Sequence, residues 1–408
     1  MPFDRSWRRA TASLALVFYS ALSTQHSALA AQPRFERVVI DDNFPGAYQV
    51  EVADVNGDSR PDVVAVGGAT CAWYENPTWR KRIVSGPGQT PGIISSATAD
   101  LDSDGQAEIA IAYEFEMNQP TRGKLALAIQ GATSDERWTL RRIADVGSIH
   151  RVRWANLNGD RRPDLVVAPI FGPEAMPPAY DQDPARLTVF FTGADPKAGR
   201  WTSRVVARRP VLHAIEVTPA FRASSGPSDI LTADNLGVSR HGMHPEAHRD
   251  LFGQELIPGA SGAAPKRGSS EVHLGKRADG RFFLATIDPW HGSEVAVCVA
   301  AEPGLLKDFR PRTVLDATLA EGHALWVADV DGDGDDEVFA GHRGQDHRVS
   351  AYDFDGTAWH RTVLDPDIAA QDLRGGDLDG DGTPDVVAVG GATHNVVWYR
   401  FRKPPATP

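Results

Sequence analysis

The chain has 408 residues, with 54 Asp and Glu against 42 Lys and Arg and a formal charge of -12. Such a surface does not suit the phosphates of nucleic acid, and past residue 30 no apolar run approaches the ~20 residues of a membrane helix. Cys71 and Cys298 are the only cysteines; they fall in different repeats and read as buried small apolar residues rather than as a disulfide.

Residues 1–30 read as a secretory leader: Arg5, Arg8 and Arg9, the apolar stretch Leu14 to Leu22, and Ala28-Leu29-Ala30 as a small-residue cleavage site. The mature chain is expected to begin near Ala31 and to be exported, to a periplasm or to the outside. Arg8-Arg9 leaves the twin-arginine route open beside the general one.

The next segments set a repeating order. Tyr48 to Ala53 alternates like a strand, an acidic nine-residue stretch follows, and Val63 to Val66, Cys71 to Tyr74 and Arg80 to Val84 read as three more short strands. The acidic stretch, DVNGDSRPD, offers side-chain oxygens at positions 1, 3, 5 and 9: Asp54, Asn56, Asp58 and Asp62. The frame recurs at Asp100, Asp102, Asp104 and Glu108; at Asn156, Asn158, Asp160 and Asp164; at Asp329, Asp331, Asp333 and Glu337; and at Asp377, Asp379, Asp381 and Asp385. Converging oxygens on a glycine-bent turn suit one hard cation, so structural calcium is expected in up to five loops. Asn156 and Asn158 lower the charge of the third, which should be the weakest.

Four short strands per repeat make a propeller blade. Loop starts lie 46, 56 and 48 residues apart, and the 173 residues from Asn156 to Asp329 leave room for two blades without the loop. Leu212 to Val217 with Asp229 to Ala233, and Glu271 to Gly275 with Phe282 to Ile287, supply them. The expected fold is therefore all-β, a seven-bladed propeller over 31–402 with a disordered tail at 403–408. Asn395 to Phe401 is the third strand of the last blade, and Phe35 to Ile40 is its outer strand, donated by the N-terminus to close the ring. The loops, three of them ending Gly-Asp-x-x-Pro-Asp, resemble the FG-GAP or VCBS repeats of integrin-type propellers, a likeness that speaks to fold and calcium and leaves activity open.

All five loops join first to second strands and so share one face. The opposite rim is formed by the first residues of the inner strands: Tyr48, Ile94, His150, His323 and Gln371, with His213 and, by strand alignment, Glu271 from the loopless blades. Second-strand ends add Glu114, Asn235, His291, His342, Arg343 and His394. Histidines converging on one rim suit divalent-metal ligation and proton transfer near neutral pH. Two insertions would overhang this rim: Gly172 to Arg186, with Tyr180 and Asp181, and Gly237 to Pro265, with His241, His244 and His248. The second reads as a flexible loop, with a His-rich metal patch as its alternative.

IHRVRWANLNGDRRPDLVVAPIFG (Ile149 to Gly172), VLHAIEV (Val211 to Val217), ATIDPWHGSEVAV (Ala285 to Val297), EGHALWVADVDGDGDDEVFAGHRG (Glu321 to Gly344) and GGATHNVVWY (Gly390 to Tyr399) resemble the β-propeller domain of the aldos-2-ulose dehydratase family. The resemblance implies a carbohydrate lyase that removes water from an oxidised sugar such as 1,5-anhydrofructose, with a divalent ion, magnesium or zinc, in an axial funnel. The fungal enzyme carries cupin domains after its propeller; this sequence shows none, so the isomerisation associated with them is expected to be absent. For such an elimination His150, His213, His291 and His323 are candidates for metal ligation or base, Arg343 for the enolate or a carboxylate, and Tyr180 or His342 for the acid. Trp290, Asn235, Glu271 and His394 are candidates for sugar contacts. Two other readings stand beside it: a non-catalytic calcium-stabilised propeller binding glycan or protein, and a uronate-specific polysaccharide lyase. A hydrolase is disfavoured, since no carboxylate pair stands on the rim, and no protein partner is identifiable.

Overall fold

The computed structural model describes residues 34–160, 162–218, 228–243 and 251–402. The leader at 1–30 and the tail at 403–408 lie outside them. Among the described residues the strands form seven four-stranded antiparallel sheets, a seven-bladed propeller. Most blades have near-continuous apolar second and third strands, such as DVVAVG (Asp62–Gly67) and TCAWYE (Thr70–Glu75), because both of their faces pack on neighbouring blades. Outer strands such as Arg80–Ser85 are mostly exposed and charged.

Seven hydrophobic clusters fill the seven blade interfaces, so the core is a ring rather than a centre. The ring closes as expected. Arg34–Asp41 pairs antiparallel with Asn395–Arg402, from Arg34 opposite Arg402 to Asp41 opposite Val396. A repeated clasp joins adjacent blades: Asp41, Asp316 and Asp365, each ending an outer strand, accept the hydroxyls of Tyr74, Tyr352 and Tyr399 on the next blade at 2.5, 2.9 and 2.8 Å.

One expectation fails here. Gly237 to Pro265 is not an overhanging loop: Gly237–Met243 and Leu251–Ile257 are the third and fourth strands of blade four. His241 is buried in the first of these, 3.2 Å from the Thr232 hydroxyl, with its pKa pushed down to about 4 by burial. His244 and His248 lie outside the described residues. Cys71 and Cys298 are both buried and free.

Candidate active site on the propeller axis

The inner strands enter the axis through a common device. Two residues before the axial position the backbone takes positive φ in six of seven blades: Gly46 (69°), Gly92 (60°), Ser148 (53°), Val211 (50°), Gly268 (70°) and Glu321 (56°). For β-branched Val211 this conformation costs on the order of 1–3 kcal/mol. The ladder then skips the axial residue, with register shifts across Tyr48, His150, His323 and Gln371. A bulge of this kind re-aims a side chain away from the sheet's alternation, and here it aims four of them at the axis. In blade five the device places Ser270, not Glu271, at the axial position, a one-residue correction to the alignment.

The imidazoles are held in a relay around the ring. His150 Nδ1 lies 2.9 Å from the carbonyl oxygen of His213, His213 Nδ1 lies 3.0 Å from that of Ser270, and His323 Nδ1 lies 2.6 Å from that of Gln371. Each ring thus donates to the axial residue of the following blade, which fixes the hydrogen on Nδ1 and leaves the Nε2 lone pair facing inward. Burial first, then the positive charges of Arg151 or Arg343, holds all three well below the usual histidine range, so they stay neutral. Burial and then neighbouring His213 depress His291 likewise.

Their inner nitrogens meet. His291 Nε2 is 3.0 Å from His213 Nε2, and the Tyr48 hydroxyl is 3.2 Å from the Nε2 of both His150 and His323. The ligand atoms of His213, His291 and His323 lie within 4.8 Å of one another. Three imidazole nitrogens could hold a divalent ion, and this donor set suits zinc better than magnesium, which prefers oxygen. Arg343 donates to His291 Nδ1 at 3.3 Å, to Gln371 Oε1 at 3.0 Å and to Glu321 Oε2 at 3.1 Å. Behind the histidines, Glu271 Oε1 is 3.0 Å from His213 Nδ1 and 3.7 Å from Arg151, whose Nη1 is 3.1 Å from His150 Nε2. Glu271 thus lies buried behind His213, with Oε1 lacking a hydrogen-bond partner.

Other candidates fall elsewhere. Trp290 is buried, edge-on to Phe171, with its carbonyl bonded by Lys266 at 3.0 Å, so it forms a wall and not an open stacking platform. Tyr180 stacks on Phe171 at 4.4 Å, which ties the Gly172 to Arg186 insertion to that wall. His342 turns its Nδ1 to Ala320, Asn235 is buried with an unpartnered amide, and His394 is exposed, its Nδ1 accepting from Gly46 N at 3.4 Å. Sequence position puts Tyr48 on the rim; that its hydroxyl joins two imidazoles, and that Arg151 backs them, is visible only in three dimensions.

On the opposite face the five acidic frames share one internal scaffold. In the last, Asp377 accepts the amides of Gly380 and Gly382, Asp379 and Asp381 accept those of Asp381 and Thr383, and Asp385 accepts that of Leu378 at 3.3 Å. The ninth carboxylate is buried in every copy, and burial raises its pKa: Asp62, Glu108 and Asp164 to about 7, Asp385 to about 6 and Glu337 to about 9. One oxygen each of Glu108, Asp164 and Glu337 is buried without a hydrogen-bond partner, as a cation ligand would be; that of Glu108 faces the Lys197 ammonium at 3.1 Å. The residues of the first, third, fourth and fifth frames therefore fit calcium; the second holds a lysine among its carboxylates.

Comparison with known proteins agrees with this architecture. The FG-GAP-like repeat family matches residues 54–111 and 329–388. Aldos-2-ulose dehydratase from Phanerodontia chrysosporium is 22% identical over 355 residues, covering 78% of this chain, which spans only 38% of that protein's length. Two solved structures share the fold, each with a TM-score of 0.52. A lectin from Agrocybe aegerita that recognises non-reducing terminal N-acetylglucosamine is 13% identical, over 79% of this chain and 81% of the lectin. The extracellular domain of a one-component system from B. thetaiotaomicron is 9% identical, over 91% of this chain and 40% of that one. No helix among the described residues is long and apolar enough to cross a membrane.

Proposed function

We propose that this chain is an exported carbohydrate lyase of the aldos-2-ulose dehydratase type, eliminating water from an oxidised sugar at the histidine-lined axis. The observation that carries the reading is the convergence of four histidines on the axis, His150 and His323 on the Tyr48 hydroxyl and His213 on His291, with three tautomers fixed by backbone carbonyls. The distant likeness to a dehydratase supports the same chemistry.

Elimination beside a carbonyl needs a base for the α-proton, charge stabilisation for the enolate and an acid for the departing hydroxyl. A divalent cation on His213, His291 and His323 would polarise the sugar carbonyl. His150 and Tyr48 move the protons. His150 Nε2 takes the proton from carbon, and the Tyr48 hydroxyl gives one to the leaving oxygen, which departs as water. The pair resets when His150 returns its proton to Tyr48 across 3.2 Å, so the proton count balances. Arg343, anchored on Gln371 and Glu321, faces the substrate's oxygens. Arg343 with Lys266 also suits a carboxylate, which keeps a uronate in view as substrate. The calcium loops hold the scaffold and take no part in turnover.

The test is ultraviolet absorbance on mixing metal-replete protein with 1,5-anhydrofructose and, separately, with glucuronate-ended oligosaccharides. New enone or unsaturated-uronate absorbance that is lost in Tyr48→Phe is the expected result. Silence with both substrates, in folded protein, would overturn the lyase and leave a glycan-binding propeller.

A further inference from the structure

The five acidic frames are alike in sequence, but the second differs from the rest in what sits inside it. Lys197 Nζ lies 2.9 Å from Asp102 Oδ2, 2.6 Å from Asp104 Oδ2 and 3.1 Å from Glu108 Oε1. Those are positions 3, 5 and 9 of the frame, three of the oxygens a calcium ion would need. Among the described residues no other frame has a lysine against its carboxylates. The third and fifth frames have only an arginine on one carboxylate, Arg162 on Asp160 and Arg400 on Asp379.

The lysine is delivered by a built turn. It lies in a short 3-10 turn, Pro196–Ala198, in the hairpin between the outer strands of blade three. Asp195 accepts the Ala198 amide at 3.0 Å, Gly199 closes the turn at φ 68°, and Trp201 Nε1 donates to the Pro196 carbonyl at 3.0 Å. Arg141, on the outer strand of blade two, donates to the Ala198 carbonyl at 2.9 Å. Both blades therefore hold the turn that points the ammonium into the frame. A cation tethered this way competes at a high effective concentration with any free ion.

We infer that the second frame is closed by the Lys197 ammonium and takes no calcium, so that blades two and three are joined by an internal cation in place of a metal. This goes beyond the proposed activity and does not depend on it. Three of the four carboxylates that a divalent ion would have to recruit already have their charge partner, and the ion would have to expel that ammonium; only the fourth, Asp100, is bonded to backbone amides alone.

Calcium bound per chain, measured by calorimetric titration of chelator-stripped full-length protein with calcium chloride, decides it. Wild type and Glu108→Gln are expected to bind equal numbers of ions. Lys197→Met should bind one more, and Lys197→Met with Glu108→Gln should lose that gain. Asp102→Asn, at a more exposed carboxylate, repeats the second arm should Glu108→Gln fail to fold. Loss of one ion from wild type on Glu108→Gln or Asp102→Asn would overturn the inference, as would no gain in folded Lys197→Met.

Discussion

The two ends of the ring differ in the buried titratable groups they gather, imidazoles at one and carboxylates at the other. At the histidine end, buried imidazoles are neutral and almost every nitrogen is spoken for by a carbonyl, a hydroxyl, a guanidinium or another ring. At the loop end, buried carboxylates are clustered with like charges, and some oxygens have no partner at all. The first arrangement presents neutral imidazole nitrogens to one point on the axis. The second gathers like charges, which a bound cation would relieve, so its effects are expected in stability.

That contrast can be broken from either end. The largest effect is expected from His323→Ala, which removes an axial imidazole. Turnover per folded protein should fall by ~10²–10⁴, beyond the modest drop in melting temperature that loss of a buried, hydrogen-bonded ring brings, and turnover that falls only in step with the folded fraction would erase the division between the faces. Next comes calcium removal. Chelation should lower the melting temperature by several degrees, since each ion at 100 times its dissociation constant contributes about 2.7 kcal/mol. Asp379→Ala should reproduce part of that shift and leave the turnover of folded protein intact; selective loss of turnover would place the loops in the chemistry.

A pH series sharpens the comparison. Folded-state pKa values of about 6 to 9 for Asp62, Glu108, Asp164, Asp385 and Glu337 exceed those of the unfolded chain, so the folded chain keeps protons that the unfolded one has released. Stability of calcium-free protein should therefore fall as pH rises from about 4 through 7. Melting of chelated protein at pH 5 and pH 8 checks the sign, and added calcium should shrink the difference. The smallest effect is expected in blade three, where Asn156 and Asn158 replace carboxylates: of the calcium-binding frames it should be the last to fill in a titration.

The architecture was legible because its signals are local and repeated. A nine-residue frame with alternating strands on either side fixes blade boundaries, and counting back six residues from each loop found Tyr48, His150, His323 and Gln371. Where the frame is absent the count has no origin. Glu271 was accordingly set one place past Ser270, and GVSRHGM and LFGQELI, whose glycines and histidines break the alternation, read as loop. The bulges that aim the histidines leave no compositional mark, since Gly46, Ser148, Val211 and Glu321 share a conformation without sharing chemistry. Lys197 was illegible for another reason: its partners are about 90 residues away and meet it only because blades two and three are neighbours.

The strand Arg34–Asp41 has a further consequence, which concerns time. It is made first and pairs last, because its partner ends at Arg402 and their contacts, such as Arg402 with Glu36, bridge 366 residues. Until then the growing chain carries one unpaired strand and an open seventh sheet. Closing a loop of that length costs ~5 kcal/mol of chain entropy, recovered in a single zippering step. A chain so built acquires its final stability only after synthesis has passed residue 402.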